Sequence, residues 1–275
     1  MKKYDRKDSP FIERVYSKIS NLIPENKLKK RLRNFFYNNA YSFTIGHDVL
    51  PLNKEKTILG KFKRTILVNQ IEPINALMGY QQHYIPKKGD VIIDVGAYNG
   101  DYAIYASNLI GDEGKILCFE PDEANFKLLR KNVKLNKLKN VILIKKGLWN
   151  KTTQLIFKTH GPDSKIGKFD KEENLVQKVD VVKLDEFLQK IGINRVDFIK
   201  MDIEGAEIEA VEGCVSLMKK NNINFAIASY HVVDGNPTYE FLERFFKKRG
   251  YIAKTEYPQH LTTYAWKKKR AKRAL

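Results

Sequence analysis

The sequence predicts an α/β fold: a mainly parallel sheet with helices on both faces, an antiparallel strand at its C-terminal end, and a basic helical extension at the N-terminus. Three observations carry that expectation. The stretch Val91 to Val95 is apolar at four of five positions, all four β-branched, and runs into Gly96 and Gly100, as a buried parallel strand entering a tight turn does. From Val91 to Trp266, strand-like and helix-like segments alternate, the pattern of a sheet built from crossover units. The 275 residues, 43% apolar and 30% charged, suffice for one substantial core plus an extension.

Taken in order, residues 1 to 80 read as a basic, mixed extension. Phe11, Val15, Ile19 and Ile23 recur at helical spacing, Pro24 interrupts, and Leu28, Leu32, Phe35 and Phe36 continue. Short strands are predicted at residues 57 to 59 and 65 to 68, and a helix over 72 to 83. This extension is a candidate lid over a substrate.

The main domain is expected from 81 to 266. After the Val91 strand, Tyr102 to Ile110 is a helix ended by Gly111, and Lys115 to Phe119 is the second strand, with Glu120 at its C-terminal end. A helix follows over 122 to 137, with Phe126, Leu129, Val133 and Leu138 inward, then a third strand over 141 to 144. Residues 154 to 157 and 176 to 182 read as an inserted antiparallel ribbon. A short helix begins at Leu184, and Val196 to Met201 is the fourth strand, leading into Asp202 to Glu207 and then one helix through Met218. A fifth strand over 224 to 229 leads to Tyr230, His231 and Asp234. A helix over 238 to 249 and an antiparallel pair over 251 to 254 and 261 to 266 complete the sheet.

The net charge of +18 suggests a polyanionic partner until its distribution is examined. Residues 1 to 80 carry +9 and residues 267 to 275 carry +6, leaving +3 for the main domain. The last nine residues read as a disordered basic tail. Two cysteines, Cys118 and Cys214, are too few for a disulfide framework or a zinc site and read as reduced core residues. No apolar run approaches the ~18 residues of a membrane helix. Residues 1 to 9 are too polar for a secretory signal, so a cytoplasmic protein is expected.

The glycine turn is where chemistry is expected. Glycines let the backbone approach a ligand, and the first turn of the following helix offers free N–H groups. A dinucleotide fingerprint needs Gly-x-Gly-x-x-Gly, but Ala97 follows Gly96 and the middle glycine is missing. That gap disfavours an NAD-dependent oxidoreductase. Glu120, 24 residues after Gly96, can accept hydrogen bonds from both hydroxyls of a ribose; it can equally cap the helix that starts near Asp122.

With Asp94-Val-Gly-Ala-Tyr-Asn-Gly100, Phe119-Glu-Pro121, Leu184-Asp-Glu-Phe-Leu188 and Phe198-Ile-Lys-Met-Asp-Ile-Glu-Gly-Ala-Glu207 in that order, the sequence resembles the FkbM family of methyltransferases over residues 85 to 266. The resemblance implies a Rossmann-like class I methyltransferase sheet and methyl transfer from S-adenosylmethionine to a hydroxyl oxygen of a small molecule or glycan. Asp94, Gly96, Ala97, Tyr98, Gly100, Glu120 and Pro121 are then the cofactor-binding positions. Gly147 and Leu148, after the third strand, would form part of the adenine wall.

Ligands of open α/β sheets bind beyond the C-terminal strand ends, where Asp202 and Glu204 follow the fourth strand and His231 the fifth. His231 is the candidate base or acceptor-orienting group, Asp202 the positioning acid, and Glu204 a second acid for the same work. Glu204 and Glu207 can also simply favour the start of the next helix through its dipole. A divalent ion held by Asp202, Glu204, His231 and Asp234 is a further possibility rather than the expectation. The same residues are compatible with an RNA methyltransferase guided by the basic flanks, and with a binding protein that retains the fold without catalysis.

Overall fold

The computed structural model describes residues 79–158, 176–257 and 260–268, with strand segments at 49–53, 56–59, 64–67 and 165–167. The amphipathic helices expected in residues 1 to 40, most of the helix expected over 72 to 83, and residues 269 to 275 lie outside the described residues. The chain divides into two compact units, Met1–Asn75 and Ala76–Leu275. The first contains an antiparallel sheet of β1 (Val49–Asn53), β2 (Lys56–Leu59) and β3 (Arg64–Leu67), in that order.

The second unit is built on β4 (Val91–Val95), whose apolar run is buried on both faces. Helix α1 (Asp101–Ile110) follows, then β5 (Lys115–Phe119), α2 (Glu123–Leu135) and β6 (Val141–Ile144). Asp122 starts α2 by accepting the Asn125 amide at 2.8 Å, an N-cap bond that satisfies one of the helix's free N–H groups. The inward face of α2 is more polar than its hydrophobic spacing suggests. Leu129 and Val133 are buried, Phe126 and Leu138 only partly, and Asn125, Asn132 and Asn136 join the interior. Asn132 Nδ2 donates to Asn99 O at 2.7 Å and so ties α2 to the glycine turn.

The insertion comprises β7 (Gly147–Leu148), β8 (Thr153–Lys158), β9 (Lys165–Gly167) and β10 (Val176–Val182), a separate sheet in the order β7-β10-β8-β9. Its β8 and β10 pair antiparallel, as the sequence predicts. After α3 (Leu184–Lys190) and β11 (Phe198–Met201), the single helix expected through Met218 is instead two, α4 (Glu207–Glu212) and α5 (Val215–Lys220). The break falls at Gly213, where an added Cβ would lie 2.4 Å from the Trp149 carbonyl oxygen. Asp185 caps the second piece, accepting the amides of Ser216 and Leu217 at 2.8 and 2.7 Å.

The chain closes with β12 (Asn224–Ala228), the small hairpin β13 (Val232–Val233) and β14 (Asn236–Pro237), α6 (Thr238–Lys247), β15 (Ile252–Glu256) and β16 (Thr262–Trp266). The main sheet has seven strands in the order β15-β16-β12-β11-β4-β5-β6. The five from β12 to β6 are parallel, and β16 is antiparallel to both its neighbours. Cys118 and Cys214 are free and buried, as expected. Lys267, first residue of the expected tail, donates to the carbonyls of Met218 and Asn221 at the end of α5.

Strand order reverses between β4 and β11, so loops after these two strands diverge and leave a crevice at their C-terminal ends. The floor of that crevice is tight. Gly96 has φ +72°, and a Cβ there would lie 1.9 Å from the Asp202 carbonyl oxygen. Gly96→Ala is therefore expected to destabilise the fold by more than about 2 kcal/mol, from left-handed backbone strain plus a clash with main chain. A lowered denaturant midpoint with an unchanged slope would show it.

Candidate active site

The turn after β4 is pinned from below. The amides of Gly96 and Ala97 both donate to Phe119 O, at 3.0 and 3.1 Å, and Gly100 N donates to Ala97 O at 2.7 Å. Tyr98 at its apex has φ +46°. From the neighbouring strand end, Glu120 accepts the Tyr98 amide at 2.8 Å with Oε2 and the Asp122 amide at 3.0 Å with Oε1. Glu120 thus braces Asp122, the residue that caps α2, and also fastens the glycine turn. The Asn125 side chain bonds the same carboxylate, so of its roughly four acceptor positions about one is left for a ligand hydroxyl. Burial pushes the Glu120 carboxyl up to about 7, against the lowering effect of the two amides.

Beneath the turn, Lys200 and Asp94 are paired in register on β11 and β4. Lys200 Nζ lies 3.2 Å from Asp94 Oδ1 and donates to Gly96 O at 2.8 Å, with both side chains almost completely buried. Burial raises the Asp94 carboxyl to about 6 despite the lysine. Burial would lower the lysine, but Asp94, Asp202 and Asp101 outweigh it and raise the ammonium group above its ordinary value. Asp101, at the first position of α1, accepts the Tyr102 amide, and burial raises its carboxyl as well.

The second part of the site follows β11 and β12. Asp202, Glu204 and His231, expected to project from the same edge of the sheet, do come together. His231 Nε2 is 3.2 Å from Glu204 Oε2 and 3.9 Å from Asp202 Oδ1, while Nδ1 is 3.0 Å from Glu207 Oε1. Burial alone would lower the imidazole, but Glu204, Glu207 and Asp202 push it up to about 10, so it holds its proton at neutral pH. For Asp202, burial favours the neutral acid, yet His260, Lys200 and His231 hold the carboxyl at about 2. Tyr80 donates to Asp202 Oδ2 at 2.8 Å, and His260 Nε2 is 3.6 Å from the same oxygen. Burial and the Asp202 charge raise the Tyr80 phenol well above its usual value. The Tyr230 ring lies tilted against His231 and edge-on to His260, with ring centroids 4.1 and 4.8 Å away.

The structure thus adds Tyr80, Lys200, Glu207 and His260. Glu207 carries the largest revision: it is fully buried and accepts the amides of Ile203 and Gly205, both at 3.2 Å, so it organises the loop as well as the start of α4. Asp234 is exposed at φ +50° and lies outside this group. Gly147 and Leu148 follow β6, but the Leu148 side chain belongs to the main core, leaving its backbone as the part able to face a ligand. Pro121 is half-buried and Ala97 buried.

A parallel sheet with a glycine turn and a strand-end acid at its order reversal is a Rossmann-like sheet of the class I methyltransferase kind. The family described as the methyltransferase FkbM domain matches residues 94–253, and the chain belongs to that family. Methyltransferase 1 of Beauveria bassiana (strain ARSEF 2860) is 28% identical over 146 residues, 44% of this chain and 57% of its own length. A probable cobalt-precorrin-6B C(15)-methyltransferase (decarboxylating) of Saccharolobus solfataricus is 37% identical over 60 residues, 22% of this chain and 30% of its own. The chain therefore spans at most a little over half of these relatives. The crystal structure of methyltransferase FkbM from Methylobacillus flagellatus KT superposes with TM-score 0.50 at 18% identity, covering 68% of this chain and 46% of that one, a likeness of fold.

Two outcomes are expected from the buried charges. Lys200→Met should cost about 3–5 kcal/mol by stranding Asp94, with Asp94→Asn in the same chain recovering part of the loss; a double-mutant cycle by denaturation measures both. Glu120 binds its proton more tightly folded than unfolded, so stability should fall as pH rises from about 4.5 to about 7 and stay low above. Its share, up to about 3 kcal/mol, should vanish from the pH profile of Glu120→Gln.

Proposed function

We propose that this chain binds S-adenosylmethionine at the ends of β4 and β5 and transfers its methyl group to a hydroxyl oxygen of a small molecule or glycan. The observation that carries the reading is Glu120, held at the strand end by two backbone amides beside the glycine turn with acceptor capacity left for a ribose hydroxyl. Asp94, Gly96, Ala97, Tyr98, Gly100, Pro121, Gly147 and Leu148 complete the cofactor-binding set. Asp101 supports this choice over a dinucleotide: its carboxylate stands at the start of α1, where a pyrophosphate would meet like charge.

S-adenosylmethionine supplies an electrophilic methyl group on a sulfonium sulfur. The protein's work is then alignment and management of the acceptor's proton. Asp202, Glu204 and His231 stand at the adjoining strand ends for that purpose. His231 is the acceptor-orienting group, Asp202 positions the acceptor or the cofactor's amino group, and Glu204 lies against His231 as a proton-accepting acid. Membership of the FkbM family supports methyl transfer, and the neighbouring carboxylates suit a hydroxyl acceptor. No described helix is long and apolar enough to cross a membrane.

Calorimetric titration tests the cofactor half. Glu120→Ala should weaken S-adenosylmethionine binding at least tenfold while NAD shows no heat with either protein; NAD binding to the wild type in place of S-adenosylmethionine would reverse the assignment. For the catalytic half, His231→Ala should lower turnover by roughly 100-fold with cofactor affinity intact. The assay follows S-adenosylhomocysteine release over a panel of saccharides and small alcohols, and full activity in the variant would remove His231 from the chemistry.

A further inference from the structure

Beside the glycine turn, one group of side chains has donor atoms that its own hydrogen bonds leave unspent. Among the described residues, Asp202, Glu207 and His231 each offer one ligand atom, all within 4.8 Å of one another. Glu207 is fully buried and His231 is 7% exposed. Asp202 Oδ1, Glu207 Oε2 and both ring nitrogens of His231 are buried and make no aligned hydrogen bond, although carboxylate oxygens stand 3.0 and 3.2 Å from the ring.

The backbone is shaped to hold this arrangement. Glu207 spends Oε1 on the amides of Ile203 and Gly205, which turns the other oxygen free, and Asp202 spends Oδ2 on the Tyr80 hydroxyl, which does the same for Oδ1. Glu204 and Gly205 adopt φ +56° and +102° to close the loop around Glu207. Each carboxylate is thus fixed by one oxygen and presents the other. Metal sites use this division, in which outer hydrogen bonds orient the ligands.

Charge points the same way. Asp202, Glu204 and Glu207 surround one imidazole, and Lys200 is already engaged by Asp94 and Gly96 O. Buried carboxylates in such excess need a compact positive charge. Bonds of about 2.1 Å hold ligand atoms roughly 3–4 Å apart, so small side-chain rotations would seat an ion here.

We propose that Asp202, Glu207 and one ring nitrogen of His231, with Glu204 as a fourth donor, form a binding site for a divalent first-row cation of the Mn²⁺ type. Mixed carboxylate and imidazole donors suit that class, whereas Mg²⁺ prefers oxygen alone and thiolate-loving ions find no sulfur in the group. The ion takes the place of the imidazole proton as counter-charge. Resting on the methyl-transfer reading, it would stand beside the acceptor hydroxyl and lower its pKa as a Lewis acid. Binding itself requires no substrate and is tested without one.

The test titrates MnCl₂ into the chelator-treated full chain and reads free Mn²⁺ from its six-line electron paramagnetic resonance signal. One Mn²⁺ per chain is expected, with affinity lowered at least tenfold in both His231→Ala and Glu207→Gln and unchanged in Asp234→Asn. Circular dichroism and thermal melting establish that each variant is folded. Because Glu207 also anchors the loop, Asp202→Asn replaces Glu207→Gln if the latter does not fold. No loss of signal at about 1 mM Mn²⁺, the weak end of biological divalent sites, would overturn the proposal. So would binding insensitive to the site variants, or binding lost in Asp234→Asn, which would put the ion in the outer loop. S-adenosylmethionine titration of the same metal-free protein is read separately, so failure of the ion site and failure of the cofactor reading are distinct results.

Discussion

The contact on which the site depends is the buried ammonium group of Lys200 between the Asp94 carboxylate and the Gly96 carbonyl. The two strands it joins, β4 and β11, are those between which strand order reverses, so the pair sits under the crevice. A lone charge here would be far too costly to bury, whereas the pair holds both strand ends at fixed height. The Asp202 amide donates to Val95 O at 3.0 Å, and the Asp202 carbonyl packs against the face that Gly96 leaves bare. The glycine turn and the acidic loop are therefore one rigid object built from segments about a hundred residues apart.

Much of this is legible in the chain. The β-branched run at Val91, the glycines after it, and Glu120 closing the next apolar strand announce the glycine-turn half of the site, because burial on both faces and a tight turn each restrict residue type locally. The grouping of Asp202, Glu204 and His231 also follows from strand ends alone. What stays hidden is set by partners distant in sequence. Apolar spacing says which face of α2 turns inward but not that Asn132 there reaches the Asn99 carbonyl. The break between α4 and α5 depends on the Trp149 carbonyl meeting Gly213, which no local pattern records. Glu207 reads as a helix-dipole acid because its first turn fits that role, and its bonds to Ile203 and Gly205 appear only once the loop is folded.

The charge pattern separates the two halves of the crevice. Under the turn, the carboxyls of Asp94, Asp101 and Glu120 are displaced upward by burial. Across from them Asp202 is held down to about 2 by His260, Lys200 and His231 against the opposing effect of burial. Neighbouring acids thus answer differently to pH: burial outweighs Lys200 at Asp94 and Asp101, whereas His260, Lys200 and His231 together outweigh it at Asp202.

Tyr80 meets His260 across 180 residues, and Tyr264 donates its hydroxyl to the Gly79 carbonyl across 185. During synthesis the tyrosine that steadies Asp202 emerges well before the histidine beside it, an interval of roughly 10 to 40 seconds at ordinary ribosomal speeds. For that time the nascent domain carries a half-assembled acidic pocket, without β16 covering β12. The crevice is consequently complete only once β16 has been made, and a ribosome paused before that point would hold a chain with its glycine turn made and its opposite wall still missing.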